Sequence, residues 1–342
     1  VRDAIYGEMT ARDPDHDGLY HGFYEFWDCD HEQRGPKTAG ETSWMISAFR
    51  GAAKMAEALG LRDEAKVYRS EAEKSLNALN KQLWYPKIGQ PGARTADDQR
   101  YERASVHEVF IGAQRGVFTE KQSAQALLRL RYLYSRTSSY GVPMMFKNDV
   151  WPIVWSQHYM PPGDISLTYM AATKCGLADE YFPYLQVIAA SVLKSNHAGL
   201  GLAIGQDGST DSIEPGNYDG QGPFAWAIAE GLFGVAPDGD SDHVRIAPNI
   251  PDSWREASAS FGDISMAIER ASANTVRLRI RDGRRRVLRV QWPTRRPVTS
   301  VRVNGKPVRY TIKPAVNRAI VELSLRAGRP LDIEFEFRGK PL

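Results

Sequence analysis

Cysteine is scarce in this 342-residue sequence. Cys29 and Cys175 are its two examples, and they lie far apart in the chain. Two cysteines cannot build a disulfide framework or a zinc site made of thiolates, so small disulfide-rich folds and cysteine-based zinc modules are excluded. The two thiols could pair once or stay free, and the sequence leaves both states open.

Long apolar runs and an excess of one charge are also missing. No stretch approaches the ~20 apolar residues that cross a bilayer. The 44 basic and 41 acidic residues give a formal net charge of +3. That balance offers no case for nucleic acid or an anionic membrane surface as a partner. No dinucleotide-binding glycine fingerprint occurs, so no redox cofactor is expected.

The sequence starts Val1-Arg2-Asp3-Ala4, with neither an initiator Met nor a signal peptide. This start is expected if a leader has been removed or if the chain is a piece of a longer protein, and both remain open. The compartment is therefore not determined. A periplasmic or secreted bacterial location is favoured over the cytoplasm.

Composition changes near residue 240, which predicts two domains, 1–240 and 241–342. Before that point apolar residues recur at helical spacing. After it, Pro and Gly punctuate short alternating strands. The fold class predicted is mainly α plus β. Seven helices are expected, over residues 40–59, 63–83, 98–116, 120–134, 163–176, 178–195 and 220–234.

Long loops rich in Gly, Pro and aromatic residues separate the predicted helices, over 13–39, 84–97, 136–162 and 197–219. Structureless loops of this length are uncommon in compact domains and are often functional. Helix pairs with long loops gathered at one end predict an (α/α)6-toroid-type domain. Seven helices leave it incomplete, because a full toroid has twelve. No repeat of fixed period is present, which disfavours TPR or HEAT arrays.

The C-terminal part predicts an antiparallel β-sandwich. The segment 276–280 alternates polar and apolar residues, and Asp282-Gly283 after it is a hairpin turn signal before 287–290. Asn304-Gly305 after 301–303 predicts a second hairpin. The basic residues between Arg277 and Arg289 alternate with apolar ones, which indicates a solvated sheet face rather than a nucleic-acid surface.

An acidic turn, Asp13-Pro14-Asp15-His16-Asp17-Gly18, resembles the start of a calcium loop. Asp13, Asp15 and Asp17 would supply oxygen ligands. Tyr24 stands where a calcium loop has its bidentate acid, so calcium is a weaker interpretation than a polar turn.

A second acidic loop combines carboxylates with an aromatic face. Its residues would suit a sugar subsite, with Trp27 stacking on a pyranose ring and charged groups gripping hydroxyls. The alternative is a solvated charged loop. Glu41, at the start of the helix that follows, joins the same candidate site. The remaining members are Asp28, Asp30, Glu32 and Arg34.

Two further loops could line the same cleft. Residues 211–219 place Asp211, Glu214, Tyr218 and Asp219 before an apolar helix, where burial and neighbouring acids separate carboxyl pKa values. The alternative is that Asp219 caps the helix and Glu214 is solvated. Residues 151–162 form a Pro-bounded aromatic segment. Its candidate substrate contacts are Trp155, His158 and Tyr159. The pair His107-Glu108 is a weaker candidate, because its helix could be core.

The order of these stretches resembles the six-hairpin glycosidases, and bacterial α-L-rhamnosidases most closely. The resemblance rests on three parts of the chain. Asp17-Gly18-Leu19 and Trp27-Asp28 precede the helix ending Ala58-Leu59-Gly60. Asp211–Glu214 precedes the helix ending at residues 231–237. Sandwich-entry stretches follow, namely Ile246-Ala247-Pro248, Pro251-Asp252-Ser253-Trp254, Phe261-Gly262-Asp263-Ile264 and Val303-Asn304-Gly305.

The resemblance implies an inverting glycoside hydrolase, with Glu214 as general base and Asp28 and Asp30 as cleft acids. It does not supply the general acid, which in such enzymes lies upstream of the stretches matched here. Either Asp28 or Asp30 serves, or the acid comes from an N-terminal region or second chain that completes the toroid. The expected partner is an oligo- or polysaccharide. A non-catalytic carbohydrate-binding protein, a phosphorylase and a lyase using Tyr159, His158 and Arg34 stay open.

Overall fold

A computed structural model describes residues 2–22, 36–94, 97–102, 105–146, 159–194, 204–209, 221–237 and 242–339. The protein is mixed α and β, with helices first and two packed sheets after them. The described helices are α1 (Arg2–Arg12), α2 (Ala39–Ala58), α3 (Arg62–Gln82), α4 (Val106–Gln114), α5 (Glu120–Tyr134), α6 (Pro162–Lys174), α7 (Ala178–Lys194) and α8 (Gln221–Trp226), and α8 continues as a π-helical turn over Ala227–Leu232.

The described helices form three successive hairpins, α2/α3, α4/α5 and α6/α7. The first helix of each hairpin packs against the first helix of the next, and α8 packs against α6. This makes one row, α2–α4–α6–α8, with α3, α5 and α7 outside it. The row is the arrangement expected of toroid hairpins, although a complete toroid stays a prediction.

Side-chain caps start several of these helices. The Thr38 side chain accepts from Glu41 N at the start of α2. Ser105 and Glu108 form a reciprocal capping box on α4, as Thr119 and Gln122 do on α5. Each cap satisfies a backbone N–H that has no partner inside its helix. The first turns of α2 and α4 are therefore held by their own sequences.

Most predicted helices are confirmed to within two residues at each end. The prediction for 98–116 was wrong at its start, because Arg100–Tyr101 is a strand and α4 begins only after the Ser105 cap. Helix α1 was not predicted, since it buries one residue, Ile5, and carries little apolar pattern.

Eighteen short and long strands are described. Three small sheets accompany the helices, ordered β1-β4-β5, β2-β3 and β6-β7. The strand bounds there are β1 Lys37–Thr38, β2 Trp84–Tyr85, β3 Gln90–Pro91, β4 Ala93–Arg94, β5 Arg100–Tyr101, β6 Ser135–Thr137 and β7 Pro143–Met145.

The sandwich has a six-stranded sheet, β10-β11-β12-β18-β14-β15, and a five-stranded sheet, β16-β17-β13-β9-β8. All pairings are antiparallel except that between β9 and β13. The strands are β8 Val235–Pro237, β9 His243–Ile246, β10 Glu256–Phe261, β11 Ile264–Ser272, β12 Thr275–Asp282, β13 Val287–Thr294, β14 Val298–Val303, β15 Lys306–Pro307, β16 Thr311–Ala315, β17 Arg318–Arg326 and β18 Leu331–Phe337. The predicted boundary at 240 stays a prediction; β8 lies ahead of it.

The two sheets bury alternate residues against each other, as period-two strands require. Trp292 of β13 stacks on Phe335 of β18 with ring centroids 5.0 Å apart, which joins the sheets at their centre. The apolar core continues into the helices. Phe182 of α7 meets Trp254 edge-on at 5.2 Å, and Phe233 meets Phe261 at 5.7 Å. Helices and sandwich therefore share one core.

The two hairpin signals have different outcomes. Asn304 and Gly305 both take positive φ, at 51° and 78°, and β14 pairs with β15 across them. The Asp282-Gly283 hairpin was wrong, since β12 and β13 belong to different sheets. The Asp282 carboxylate instead accepts from the Arg286 guanidinium at 2.7 and 2.9 Å, and this holds a crossing between sheets.

The basic strand face is solvated and ion-paired. Arg277 of β12 donates to Glu334 of β18 at 3.0 Å, and Arg279 donates to Glu269 of β11 at 3.2 Å. These are cross-strand pairs on an exposed sheet face. Among the described residues, none of the helices has both the length and the apolarity that crossing a membrane needs.

Candidate functional site

The N-terminal ends of α2 and α4 are tied to one small sheet. Strand β1 runs directly into α2 and pairs with β4, and β4 pairs with β5 shortly before α4. The Ala39 N–H of α2 also donates to the Gly92 carbonyl at 3.1 Å. These backbone contacts place both helix starts at the same end of the helical row.

A buried side-chain pair brings α6 to this end. His107 Nε2 lies 2.9 Å from Asp164 Oδ1, linking the first turn of α4 to the first turn of α6. The His107 side chain is 2% exposed and that of Asp164 15% exposed. A short contact in such low exposure fixes the spacing of the two helix starts. The starts of α2, α4 and α6 therefore share one end of the row.

Each of these three helices carries an acid at its third residue: Glu41 in α2, Glu108 in α4 and Asp164 in α6. Glu108 is fully buried, and its Oε2 accepts from the Ser105 N–H at 3.0 Å. The positive end of a helix dipole favours a carboxylate at that position. Three helix starts thus bring three carboxyl groups to one end, a donor set suited to proton transfer and to gripping hydroxyls.

Glu41 lies against backbone that approaches closely. A Cβ at Gly22 would overlap the Glu41 side chain, so glycine is required there. The Gly22 N–H donates to the Pro36 carbonyl at 2.7 Å, and the Tyr20 N–H donates to Thr42 Oγ1 at 3.1 Å. This packing holds the predicted substrate contact Glu41 at the shared end.

Tyr159 is the second predicted substrate contact inside the described residues. It is half-buried and precedes α6 by two residues. The next residue, Met160, exchanges both backbone hydrogen bonds with Ile204 at 3.0 Å. Tyr159 therefore also lies at the α6 end of the site.

The other predicted catalytic and substrate-binding residues lie outside the described residues. In the sequence they fall in segments that lead into α2, α6 and α8. They are Trp27, Asp28, Asp30, Glu32, Arg34, Trp155, His158, Asp211, Glu214, Tyr218 and Asp219.

The calcium candidates do lie together, with ligand atoms of Asp13, Asp15 and Asp17 within 4.8 Å of one another. The Lys37 ammonium contacts Asp15 Oδ2 and Asp17 Oδ2, each at 2.6 Å. This contact lowers the pKa of Asp15. Asp13 is buried, and its Oδ2 accepts from the Gly18 N–H at 3.1 Å, while burial raises its pKa. A lysine thus supplies the positive charge, and the calcium interpretation stays a prediction.

Sequence reasoning gave little weight to His107 and Glu108 and did not single out Asp164. A signal for Glu108 was present, because Ser105-x-x-Glu108 is a capping-box pattern. The partner of His107 had no such signal. Asp164 lies 57 residues away, and only the packing of α4 on α6 brings the two together.

No family model matches the sequence, and no curated protein matches it. Solved structures do match. A GH78 family rhamnosidase of Bacillus sp. GL1 has TM-score 0.57 and 16% identity, over 82% of this chain and 28% of that one. An α-L-rhamnosidase from Dictyoglumus thermophilum has TM-score 0.54 and 12% identity, over 86% and 32%. A sialidase has TM-score 0.56 and 14% identity, over 93% and 30%.

These matches are similarities of fold at low sequence identity. They span most of this chain but less than a third of each matching protein. Whole-protein activities therefore do not transfer from them. The helical row followed by packed sheets is the shared architecture, and the chain has a glycoside-hydrolase-like fold.

Proposed function

We propose that this chain forms part of a glycoside hydrolase that cleaves a glycosidic bond in an oligo- or polysaccharide. One observation carries the proposal: the three carboxyl groups at the shared end of α2, α4 and α6. An acid-rich helix end beside long connecting segments suits a sugar cleft, since glycosidases work with pairs of Asp or Glu. The fold similarity to rhamnosidases supports it.

The mechanism we propose is inverting hydrolysis. Glu214 removes a proton from water, while a protonated acid, Asp28 or Asp30, donates to the leaving oxygen. Inversion requires carboxyl groups about 6.5–9.5 Å apart, so that the water fits between them. Trp27 stacks on a sugar ring, and the other substrate contacts bind hydroxyls. These contacts are Glu32, Arg34, Glu41, Trp155, His158, Tyr159, Asp211, Tyr218 and Asp219.

The His107–Asp164 pair positions this cleft rather than reacting in it. Both residues sit in first turns of neighbouring helices, and their 2.9 Å contact sets the distance between those turns. Catalysis is sensitive to small displacements of the groups that bind substrate. Glu41 and Tyr159 flank the pair on α2 and ahead of α6.

A further helical hairpin, from an N-terminal region or a second chain, is proposed to complete the helical row beside α2. The face of α2 away from α4 carries Trp44, Ala48, Gly51 and Met55 at helical spacing. Trp44 and Met55 are 41% and 47% exposed. A Cβ at Gly51 would meet nothing within 4 Å, so another helix has room to approach closely. The general acid could reside on that hairpin.

The test is a panel of aryl glycosides and polysaccharides assayed with the full assembly from its source. Reducing-sugar release is expected, with inverted product stereochemistry seen by NMR. Glu214→Gln should lower kcat by several orders of magnitude with unchanged circular dichroism, because the base is lost without loss of shape. Lys121→Met, on the exposed face of α5, is the control.

Other outcomes identify the alternatives. Near-normal turnover by Glu214→Gln removes that residue from the mechanism. Oligosaccharide binding without sugar release favours a carbohydrate-binding protein. A product absorbing in the ultraviolet indicates a lyase, and turnover that needs phosphate indicates a phosphorylase.

A further inference from the structure

A cavity of about 290 Å³ lies between the helices and the sandwich. Its walls include Thr173 and Lys174 from the last turn of α6, Arg245 of β9 and Ala315 of β16. Lys174 is ten residues along α6 from Asp164, or about 15 Å at the helical rise. The cavity is therefore separate from the candidate active site at the other end of α6.

The cavity lining carries more positive than negative groups. Its cations are Lys174, Arg245, Lys313 and Arg318, and its acids are Glu120, Glu230 and Glu322. Three cations have carboxylate partners. Arg245 contacts Glu230 at 2.9 Å, Lys313 contacts Glu322 at 2.6 Å, and Arg318 contacts Glu120 at 3.8 Å.

Lys174 is the cation left over. Its ammonium donates to the Gln114 main-chain carbonyl at 2.8 Å, and no carboxylate of the described chain lies within ion-pair distance of it. An ammonium has three donors, so this bond leaves two for another acceptor. Burial lowers the pKa of Lys174, because the charged form loses its hydration. A bound anion would offset that cost.

Uncharged polar groups complete the lining. Gln291 donates to Glu322 at 2.7 Å, and Asn249 donates to the carbonyls of Gly231 and Ala247 at 2.9 and 3.0 Å. The amide oxygens of both residues are acceptors suited to hydroxyl groups. Ligand pockets range upward from about 300 Å³, so this cavity suits one sugar ring rather than a chain.

We propose that this cavity binds a single hexuronate, whose carboxylate pairs with Lys174 and whose hydroxyls bond to Gln291 and Asn249. One extra cation matches one carboxylate. The polar walls match hydroxyls, and the volume matches a monosaccharide. Because the walls come from both the helices and the sandwich, the bound sugar acid joins the two parts of the chain.

The test is isothermal titration calorimetry of the full chain with D-glucuronate, D-glucose and inorganic phosphate. Glucuronate is expected to bind, and glucose at least tenfold more weakly. Lys174→Met keeps the apolar stem and should weaken glucuronate binding at least tenfold. Lys121→Met removes one charge from the nearby exposed face of α5 and should leave the affinity unchanged.

A second variant guards against a folding defect in Lys174→Met. Ala315→Trp fills the cavity while every charge stays in place, so it should abolish glucuronate binding with unchanged circular dichroism. Equal affinity for glucose, binding of phosphate without glucuronate, or full binding by either variant would each overturn the proposal. The readout is binding alone, so it is independent of glycosidase activity.

Discussion

Replacing Arg318 with methionine is expected to destabilise the protein by about 2–4 kcal/mol. Arg318 reaches from β17 of the sandwich to the end of α6, where it donates to the carbonyls of Thr173 and Lys174 at 2.6 and 2.7 Å. These carbonyls belong to a last helical turn, which has no acceptor-satisfying N–H of its own. The side chain is only 10% exposed.

The magnitude follows from two hydrogen bonds made by a charged donor, each contributing about 1.5–3 kcal/mol. Burying the guanidinium offsets part of that sum, and the same burial lowers the pKa of Arg318. Methionine keeps an apolar side chain of similar length, so the loss reports mainly the hydrogen bonds and the charge at the helix end.

The assay is urea unfolding followed by circular dichroism at 222 nm. Arg326→Met is the matched control, because Arg326 lies on the same strand and is exposed, so its change should stay within about 0.5 kcal/mol. Arg318→Lys should fall between the two, since lysine keeps the charge but lacks the forked donors. A loss at Arg318→Met no larger than at Arg326→Met would refute the assignment.

Two predictions concern buried side chains. Trp292→Ala should cost about 3–5 kcal/mol in urea unfolding, because it leaves a cavity against Phe335; a loss below about 1 kcal/mol would contradict the central stacking. Cys175 is a free, buried thiol whose pKa is raised by burial to about 12. In a Cys29→Ser background at pH 8 it should therefore stay unreactive toward Ellman's reagent until urea unfolds the chain; rapid reaction of the folded protein would show it accessible.

The helices were predictable wherever apolar spacing and caps agreed. In α2, Thr38 caps the start and Gly60, with φ of +77°, follows the end. Helix α1 escaped prediction because its one buried residue gives no stripe. Local chemistry of this kind is legible in sequence because its causes lie within a few residues of each other.

The two turn signals show where local chemistry stops deciding. Asn304-Gly305 forms the expected turn because the chain on either side belongs to one sheet. Asp282-Gly283 has the same signal, yet the carboxylate is held by Arg286 and the chain crosses to the other sheet. Sheet membership depends on contacts with distant strands, which a dipeptide does not encode.

The site was only partly predictable for the same reason. Glu41 was anticipated from its place at a helix start beside an acidic loop. The His107–Asp164 contact was not, since it needs α4 and α6 packed at a defined spacing. Residues that meet across helices carry no mutual mark in a single sequence.

The parallel pairing of β9 with β13 has a consequence for the order in which a nascent chain acquires structure. Strands β8 and β9 emerge from the ribosome directly after the helices and can pair with each other at once. The second neighbour of β9 arrives only after β10, β11 and β12 have been made for the other sheet. Throughout that interval β9 has an open edge. Its length of four residues, from His243 to Ile246, limits the surface that it offers to a neighbouring chain.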